Sequence, residues 1–443
     1  MKTVRLGAGA GYSGDRIDPA VELAARGSVS YLIFECLAER TIANAQLARL
    51  LDPAAGFDPF LEERLEAVLH HCVENRIRII SNMGAANPLA AATKTCETAR
   101  RLGLRGLRVA AVTGDDVLSI LRSGDLAIET PEGSLPNPDK WVSANAYLGV
   151  LPILDALDQA ADVILTGRVA DPALFLAPLI HEFGWSLDDW NTLGQGTVVG
   201  HLLECAGQLT GGYFSDPGYK DVPNLARLGF PIAEVNEDGT AVFTKVEGSG
   251  GLINRATCTE QLLYEIQDPA SYFTPDVVAD FSQVSIEEVG PNRVRVVGGG
   301  GRPRPSTLKV SIGYRDGYIG EGQISYAGPN ALPRAELARE ILTERLAGAE
   351  LLELLVDFIG VNSIHGPYLS RHAPVPYEVR LRAAGRADSR RAAARVPREV
   401  EALYTNGPAG GGGATGSTRE VIAILGALIP RESVSHQIHL LES

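Results

Sequence analysis

The first 190 residues repeat one pattern, and that pattern leaves few folds open. Short apolar runs (Val4–Leu6, Ser30–Phe34, Ile77–Ser81, Leu107–Val112 and Asp162–Leu165) alternate with amphipathic stretches (Pro19–Arg26, Phe60–Asn75, Pro88–Leu102 and Ala144–Ala160). Strands covered on both faces read as continuous apolar runs, as these do. Parallel strands joined by helices cross over right-handedly, which puts helices on both faces of one sheet. The spacing predicts an α/β fold, with a mainly parallel, Rossmann-like sheet over residues 1–190 that carries the active cleft.

The pattern changes from Asn191. GQGTVVGHLLECAGQLTGGYF reads as a buried, glycine-rich helix and turn. Strand patterns dominate residues 230–325, with Asp238-Gly239 and Asp316-Gly317 as hairpin turns. Leu332–Leu355 reads as helix, residues 377–385 as strand, and Arg419–Ala427 as a final helix. Residues 191–443 are therefore expected to form a mixed α+β domain with a glycine-rich loop near its C-terminus.

The formal net charge of −14 argues against nucleic-acid binding, which needs clustered cations. One basic cluster, Arg380 to Arg398, is interleaved with alanine and reads as a solvated helix face. No apolar run approaches the ~20 residues of a membrane-spanning helix. The five scattered cysteines and the absence of an apolar leader point to the cytoplasm. Large acidic enzymes of that compartment are commonly symmetric, so a homo-oligomer is expected.

Within GAGAGYSGDR, Gly9, Gly11 and Gly14 match the spacing of a dinucleotide fingerprint, and Glu35 follows where a ribose-binding acid would stand. The fingerprint also needs a helix that begins inside the glycines. Here Asp18 is a good N-cap and Pro19 suits the first helical position, so the helix starts late. Asp15 would repel a pyrophosphate. The loop, with Tyr12, Ser13, Asp15 and Arg16, reads instead as a lining of the cleft at the carboxyl ends of the strands.

Every other strand also ends in a polar cluster. Glu35 is the candidate general acid/base, with a salt bridge to Arg16 or Arg40 as its structural alternative. Asn82 and Asn87 could hydrogen-bond a carbonyl or an enolate. Thr113, Gly114 and Asp115 follow the fourth run. Asp115 with Asp116 could hold a divalent cation or cap the next helix. Thr166 precedes Arg168, whose fork suits a substrate carboxylate and whose structural partner would be Asp171. His201 and Glu204 share a helical face as an acid/base pair, half a metal site or a core histidine. Gly410 and Gly411, in YTNGPAGGGGATGS, could bind a CoA or nucleotide phosphate or belong to a linker. Cys36 lacks a base, so it is not a nucleophile. No metal ligand set and no cofactor is assigned. Serine-hydrolase elbow, P-loop and zincin motifs are absent.

In this order, GAGAGYSGDRIDPAVELAARG, YLIFECLAERTIANAQLARL, SNMGAANPLAAA, VAAVTGDDV, ILTGRVADPALFLAPL and DVVADF resemble the AtuA family, named for acyclic terpene utilisation. The resemblance implies catabolism of branched acids, whose intermediates are acyl-CoA thioesters. Many members carry a small ferredoxin-like domain after this region. This chain stops at HQIHLLES, where that domain would begin, which leaves two expectations: a separate small ferredoxin-like subunit as partner, or a member that works without it. The expected function is a hydratase or lyase that moves a proton next to a carbonyl of a small-molecule acid or CoA-linked substrate. An NAD(P)-dependent oxidoreductase, a non-catalytic assembly subunit of an acyl-CoA-processing complex and a cyclic amide or lactone hydrolase remain open.

Overall fold

The computed structural model describes residues 2–124, 126–130, 134–372 and 374–443. The chain divides into two compact units, Met1–Gly313 with Ile424–Ser443, and Tyr314–Ala423.

The strands of the first unit are β1 (Thr3–Ala10), β2 (Tyr31–Phe34), β3 (Arg78–Ser81), β4 (Arg108–Thr113), β5 (Trp141–Ala146) and β6 (Val163–Thr166). Then come β7 (Pro231–Asn236), β8 (Ala241–Lys245), β9 (Tyr272–Phe273), β10 (Val278–Asp280), β11 (Ser285–Gly290), β12 (Arg293–Val297) and β13 (Gly300–Arg302). Its helices are α1 (Asp18–Arg26), α2 (Glu39–Leu51), α3 (Leu61–Asn75), α4 (Pro88–Arg101), α5 (Leu118–Ser123), α6 (Leu151–Asp158), α7 (Ala173–Phe183), α8 (Trp190–Glu204) and α9 (Arg255–Leu263). The chain leaves this unit within β14 (Thr307–Ala327) and returns within β17 (Gly412–Pro430), before β18 (Gln437–Glu442).

One sheet organises this unit, in the order β11-β12-β8-β7-β1-β2-β3-β6-β4-β18. The middle five, from β1 to β4, are parallel, and β7 and β18 flank them antiparallel. Helices α1, α3 and α4 form one layer, and α6, α7 and α8 another. β2 is buried throughout, as its apolar YLIF run requires. Dinucleotide-binding sheets put a parallel strand on each side of the first strand. Here the second neighbour of β1 is the antiparallel β7, so the fold is a mixed α/β sheet with a parallel centre.

The five parallel strands lie within one or two residues of the sequence reading, except that β1 continues to Ala10. The Asp238-Gly239 turn joins β7 to β8, with Gly239 at φ +81°. Several readings need correction. Ala144–Ala160 is the end of β5 followed by α6, because Trp141 and Val142 favour a strand and Pro152 starts a helix. Asp316-Gly317 makes no hairpin; β14 runs straight through it, with Gly317 at φ +82° and the Ala387 carbonyl where a Cβ would stand. Arg419–Ala427 belongs to β17, consistent with Val421, Ile422 and Ile424 being β-branched. The units also divide the chain elsewhere than at residue 190. The β7–β8 hairpin pairs directly with β1, so the later strands extend the first sheet.

The second unit adds α10 (Ala331–Leu346), β15 (Glu353–Ile359), α11 (Gly366–Ser370), β16 (Glu378–Ala387), α12 (Arg390–Ala393) and α13 (Arg395–Asn406). The reading of Leu332–Leu355 as one helix is thus cut at Leu346, and β15 follows. Its core joins Ile324, Leu342, Phe358, Leu381 and Val400. The basic cluster is only partly helical. Arg382 pairs with Glu321 and Asp357 from β16, and Arg386 with Asp316.

Candidate active site

The parallel strands bring their carboxyl ends to one edge, where hydrogen bonds join the residues into a network. At the end of β2, Glu35 is buried. Its Oε1 accepts from the Leu37 N–H at 2.9 Å and from Asn82 Nδ2 at 2.8 Å. Asn82, just past β3, accepts the Cys36 N–H on its Oδ1 at 2.7 Å. The Leu37 carbonyl accepts from Arg168 Nη1. The Arg168 N–H donates to Asp115 Oδ2 at 2.9 Å, and Asn145 Nδ2 donates to the same oxygen at 2.8 Å. Glu35, Asn82, Arg168 and Asp115 thus belong to one buried chain of contacts.

Burial pushes the Glu35 carboxyl well above its ordinary range; Asp171 adds to the push, and Arg168 and Asn82 oppose it. Burial raises Asp115 to about 6, against the hydrogen bonds from Arg168 and Asn145. Asp171 is also raised by burial, against Arg168. Glu39 shows the opposite result. Burial would lift it too, but the Tyr147 hydroxyl at 2.5 Å and the Lys309 ammonium at 3.0 Å outweigh that and lower it to about 2.

Arg168 is held by its own protein. Its Nε and Nη2 donate to the Val169 carbonyl at 2.8 and 2.5 Å, and Nη2 also pairs with Asp171. Its guanidinium carbon lies 4.5 Å from the Tyr147 ring centroid. The fork that could grip a substrate carboxylate is already engaged. Asn87 is engaged as well. Its Nδ2 donates to the Pro53 and Ala55 carbonyls at 2.9 and 2.8 Å, and its Oδ1 accepts the Ala90 N–H and caps α4.

The opening loop is packed by its own residues. Asp15 turns inward and accepts the Gly11 and Arg16 N–H groups at 2.9 and 2.8 Å. The buried Arg64 of α3 donates to the carbonyls of Ser13 and Asp15 at 2.7 and 3.1 Å and pairs with Asp58. A Cβ on Gly9 would meet the Phe34 ring at 2.6 Å, and one on Gly11 the Cys205 carbonyl carbon at the same distance. One on Gly14 would lie 2.8 Å from the Tyr12 ring. Close packing therefore accounts for Gly9 and Gly11, and α1 begins only at Asp18. Tyr12 is 61% exposed, and Arg16 pairs with Asp18 rather than with Glu35.

The remaining candidates divide. Thr113 Oγ1 meets His439 Nε2 at 3.2 Å, and Gly114 takes φ +114° against the Ser435 carbonyl. Thr166 is buried and donates to the Gly167 carbonyl. His201 is satisfied on both nitrogens, by Glu204 Oε1 at 2.8 Å and the Leu262 carbonyl at 3.2 Å, and packs against Tyr272 and Phe281. Burial lifts Glu204 to about 7, with His201 opposing. Gly410 and Gly411 lie in the second unit, where Arg334 donates to the Ala409 carbonyl at 2.7 Å. Asp115 and Asp116 take different partners, and the Leu118 N–H on Asp116 Oδ1 starts α5. Among the described residues, no group of three or more His, Cys, Asp or Glu comes together as a metal site.

A cavity of about 390 Å³ opens at the end of β4, lined by Arg49, Asn87, Thr113, Asp115, Asp116 and Arg122 among others. Sequence reasoning missed Arg49, Arg122, Tyr147, Lys309 and Asn145, which lie on surfaces or on elements misread as helix. Arg64 did carry a signal. It interrupts the apolar face Leu61, Leu65, Val68 and Leu69 of α3, where a charge is expensive unless paired.

The geometry defines a mixed α/β protein with a buried, acid-rich edge beside a cavity. The family described as Acyclic terpene utilisation family protein AtuA matches residues 4–440, so this chain belongs to the AtuA family. No curated protein and no solved structure matches the chain. Among the described residues, no helix is long and apolar enough to cross a membrane.

Proposed function

We propose that this chain is a catabolic enzyme that moves a proton next to the carbonyl of a carboxylic acid or acyl-CoA thioester, as a hydratase or lyase does. Family membership supports the catabolic part. One observation carries the chemistry. Glu35 is buried at a strand end, with Oε1 fixed by two donors and no protein hydrogen bond to Oε2 among the described residues. A carboxyl raised toward neutrality can both take and return a proton. In this reading Oε2 of Glu35 removes the proton beside the substrate carbonyl. Asn82 and Arg168 are positioning residues: Asn82 holds Oε1, and Arg168 holds the Leu37 carbonyl of the same turn.

The test is proton exchange. The full chain is incubated in D₂O with a panel of acyl-CoA thioesters and free acids, and deuterium beside the carbonyl is read by mass spectrometry. Exchange by the wild type, lost in a Glu35→Gln variant whose melting temperature is no lower, is the expected result. Undiminished exchange in Glu35→Gln would remove Glu35 from the mechanism. No exchange with any substrate would favour an assembly subunit.

A further inference from the structure

We propose that the cavity at the end of β4 is an oxyanion subsite, in which Arg49 and Arg122 take a carboxylate or phosphate group of the substrate. Assigning that group to a substrate rests on the proton-transfer reading above. The cavity, at about 390 Å³, is large enough for a small ligand or one end of a longer one.

Its walls hold two guanidinium groups, each fixed at one nitrogen. Arg49 Nη1 donates to the Ala86 carbonyl at 2.7 Å, and Arg122 Nη2 to the Trp141 carbonyl at 2.7 Å. Their other nitrogens have no protein hydrogen bond among the described residues; the nearest carboxylate to Arg49 is Asp116, at 3.9 Å. A planar fork with free donors is the group that binds carboxylate and phosphate best.

The two acids on the wall offset this charge only in part: Asp116 reaches Arg49 at 3.9 Å, and among the described residues no carboxylate pairs with Arg122. Asp115 turns Oδ2 toward Asn145 and the Arg168 N–H, which take up that oxygen's charge from two sides. Asp116 accepts from Gln46 at 3.3 Å and from the Leu118 N–H at 3.2 Å. The end of α4 adds little, since Pro88 has no N–H and Asn87 takes that of Ala90. The arginines are therefore the attraction. Asp115 is both a wall of the cavity and the partner of the Arg168 backbone, which sets the subsite beside the Glu35 network. Arg168, spent on Asp171 and carbonyls, leaves the anchoring of an anion to this pair.

Calorimetric titration of the full chain with glutarate and, separately, coenzyme A tests the assignment. Binding of either probe is expected, weakened at least about tenfold in an Arg49→Gln/Arg122→Gln double variant. Glutarate alone identifies a carboxylate subsite, and coenzyme A alone a phosphate subsite. No binding of either probe, or equal binding by the double variant, overturns the proposal. Should the double variant unfold, Arg49→Lys and Arg122→Lys singly carry the test, since lysine keeps the charge and loses the fork. Glu35→Gln is titrated alongside. Arginine-dependent binding with a fully active Glu35→Gln would sink only the proton-transfer reading. Arginine-independent binding with an inactive Glu35→Gln would sink only the subsite.

Discussion

Glu35 and Glu39 lie on the same short stretch of chain and titrate in opposite directions. Both are penalised by burial, so burial does not separate them. Their partners do. Glu35 receives neutral donors, the Leu37 N–H and the Asn82 amide. Its nearest cation, Arg168, is already paired with Asp171. Glu39 receives a phenol and an ammonium. At Glu35 the neutral donors lower the pKa but do not offset the desolvation, whereas at Glu39 a short phenol hydrogen bond and an ammonium together do. One segment thus holds a carboxyl suited to carry a proton and another suited to stay ionised.

The largest test of this contrast is Glu35→Gln. Glutamine keeps the shape and both donors on Oε1 but cannot carry the proton. Turnover should fall by about 10²–10⁴-fold, the usual worth of a general acid/base. The matching Glu39→Gln should leave turnover far less affected, and equal losses in both variants would dissolve the distinction. The next test is Asp171→Asn. Asp171 raises Glu35 directly and also neutralises Arg168. Its removal should move the Glu35 limb of the pH–rate profile to lower pH; a limb that stays put would mean another group titrates there. A smaller effect is expected from Tyr147→Phe, which keeps the ring between Arg168 and Lys309 but loses the hydroxyl on Glu39. Stability by urea melting should drop by about 1 kcal/mol, below the usual worth of a bond to a charged group because Glu39 is partly exposed.

The same partners explain what the sequence could and could not disclose. Apolar runs such as YLIF mark buried parallel strands, and the strand ends then gather Glu35, Asn82, Asp115 and Arg168 on one edge. Local pattern goes no further than that. Whether Arg168 is free or spent depends on the Leu37 carbonyl, 131 residues away along the chain, as well as on nearby Asp171. Gly9 and Gly11 look like a nucleotide loop because the letters agree, yet the Phe34 ring and the Cys205 backbone require them. Tyr147 and Asn145 are hidden because the strand WVSANA runs into α6 with little punctuation, and everything from Ala144 on reads as helix. The opening loop and the glycine-rich turn between α13 and β17 share one lesson. In each, an arginine (Arg64 or Arg334) binds loop carbonyls, a contact that glycine content cannot reveal.

The smallest effect is thermodynamic, and it has two signs. Glu39 titrates at about 2 when folded against an ordinary 4.5, so the unfolded chain takes up its proton first as pH falls. Its contribution is therefore present above pH 4.5 and is lost on the way to pH 2. Glu35 is raised from the same ordinary value, so the unfolded chain gives up its proton first as pH rises. Stability should then fall as pH climbs past 4.5 toward the folded value of Glu35. Melting temperatures across pH should show Glu39→Gln flattening the acid limb and Glu35→Gln flattening the opposite one. An acid limb unchanged in Glu39→Gln would break the account of Tyr147 and Lys309. Salt sharpens the point, because Lys309 is half exposed and a Debye length of ~10 Å at 0.1 M screens it, whereas the Tyr147 hydrogen bond does not depend on ionic strength. An acid limb that shrinks only partly as salt rises would assign the remainder to Tyr147.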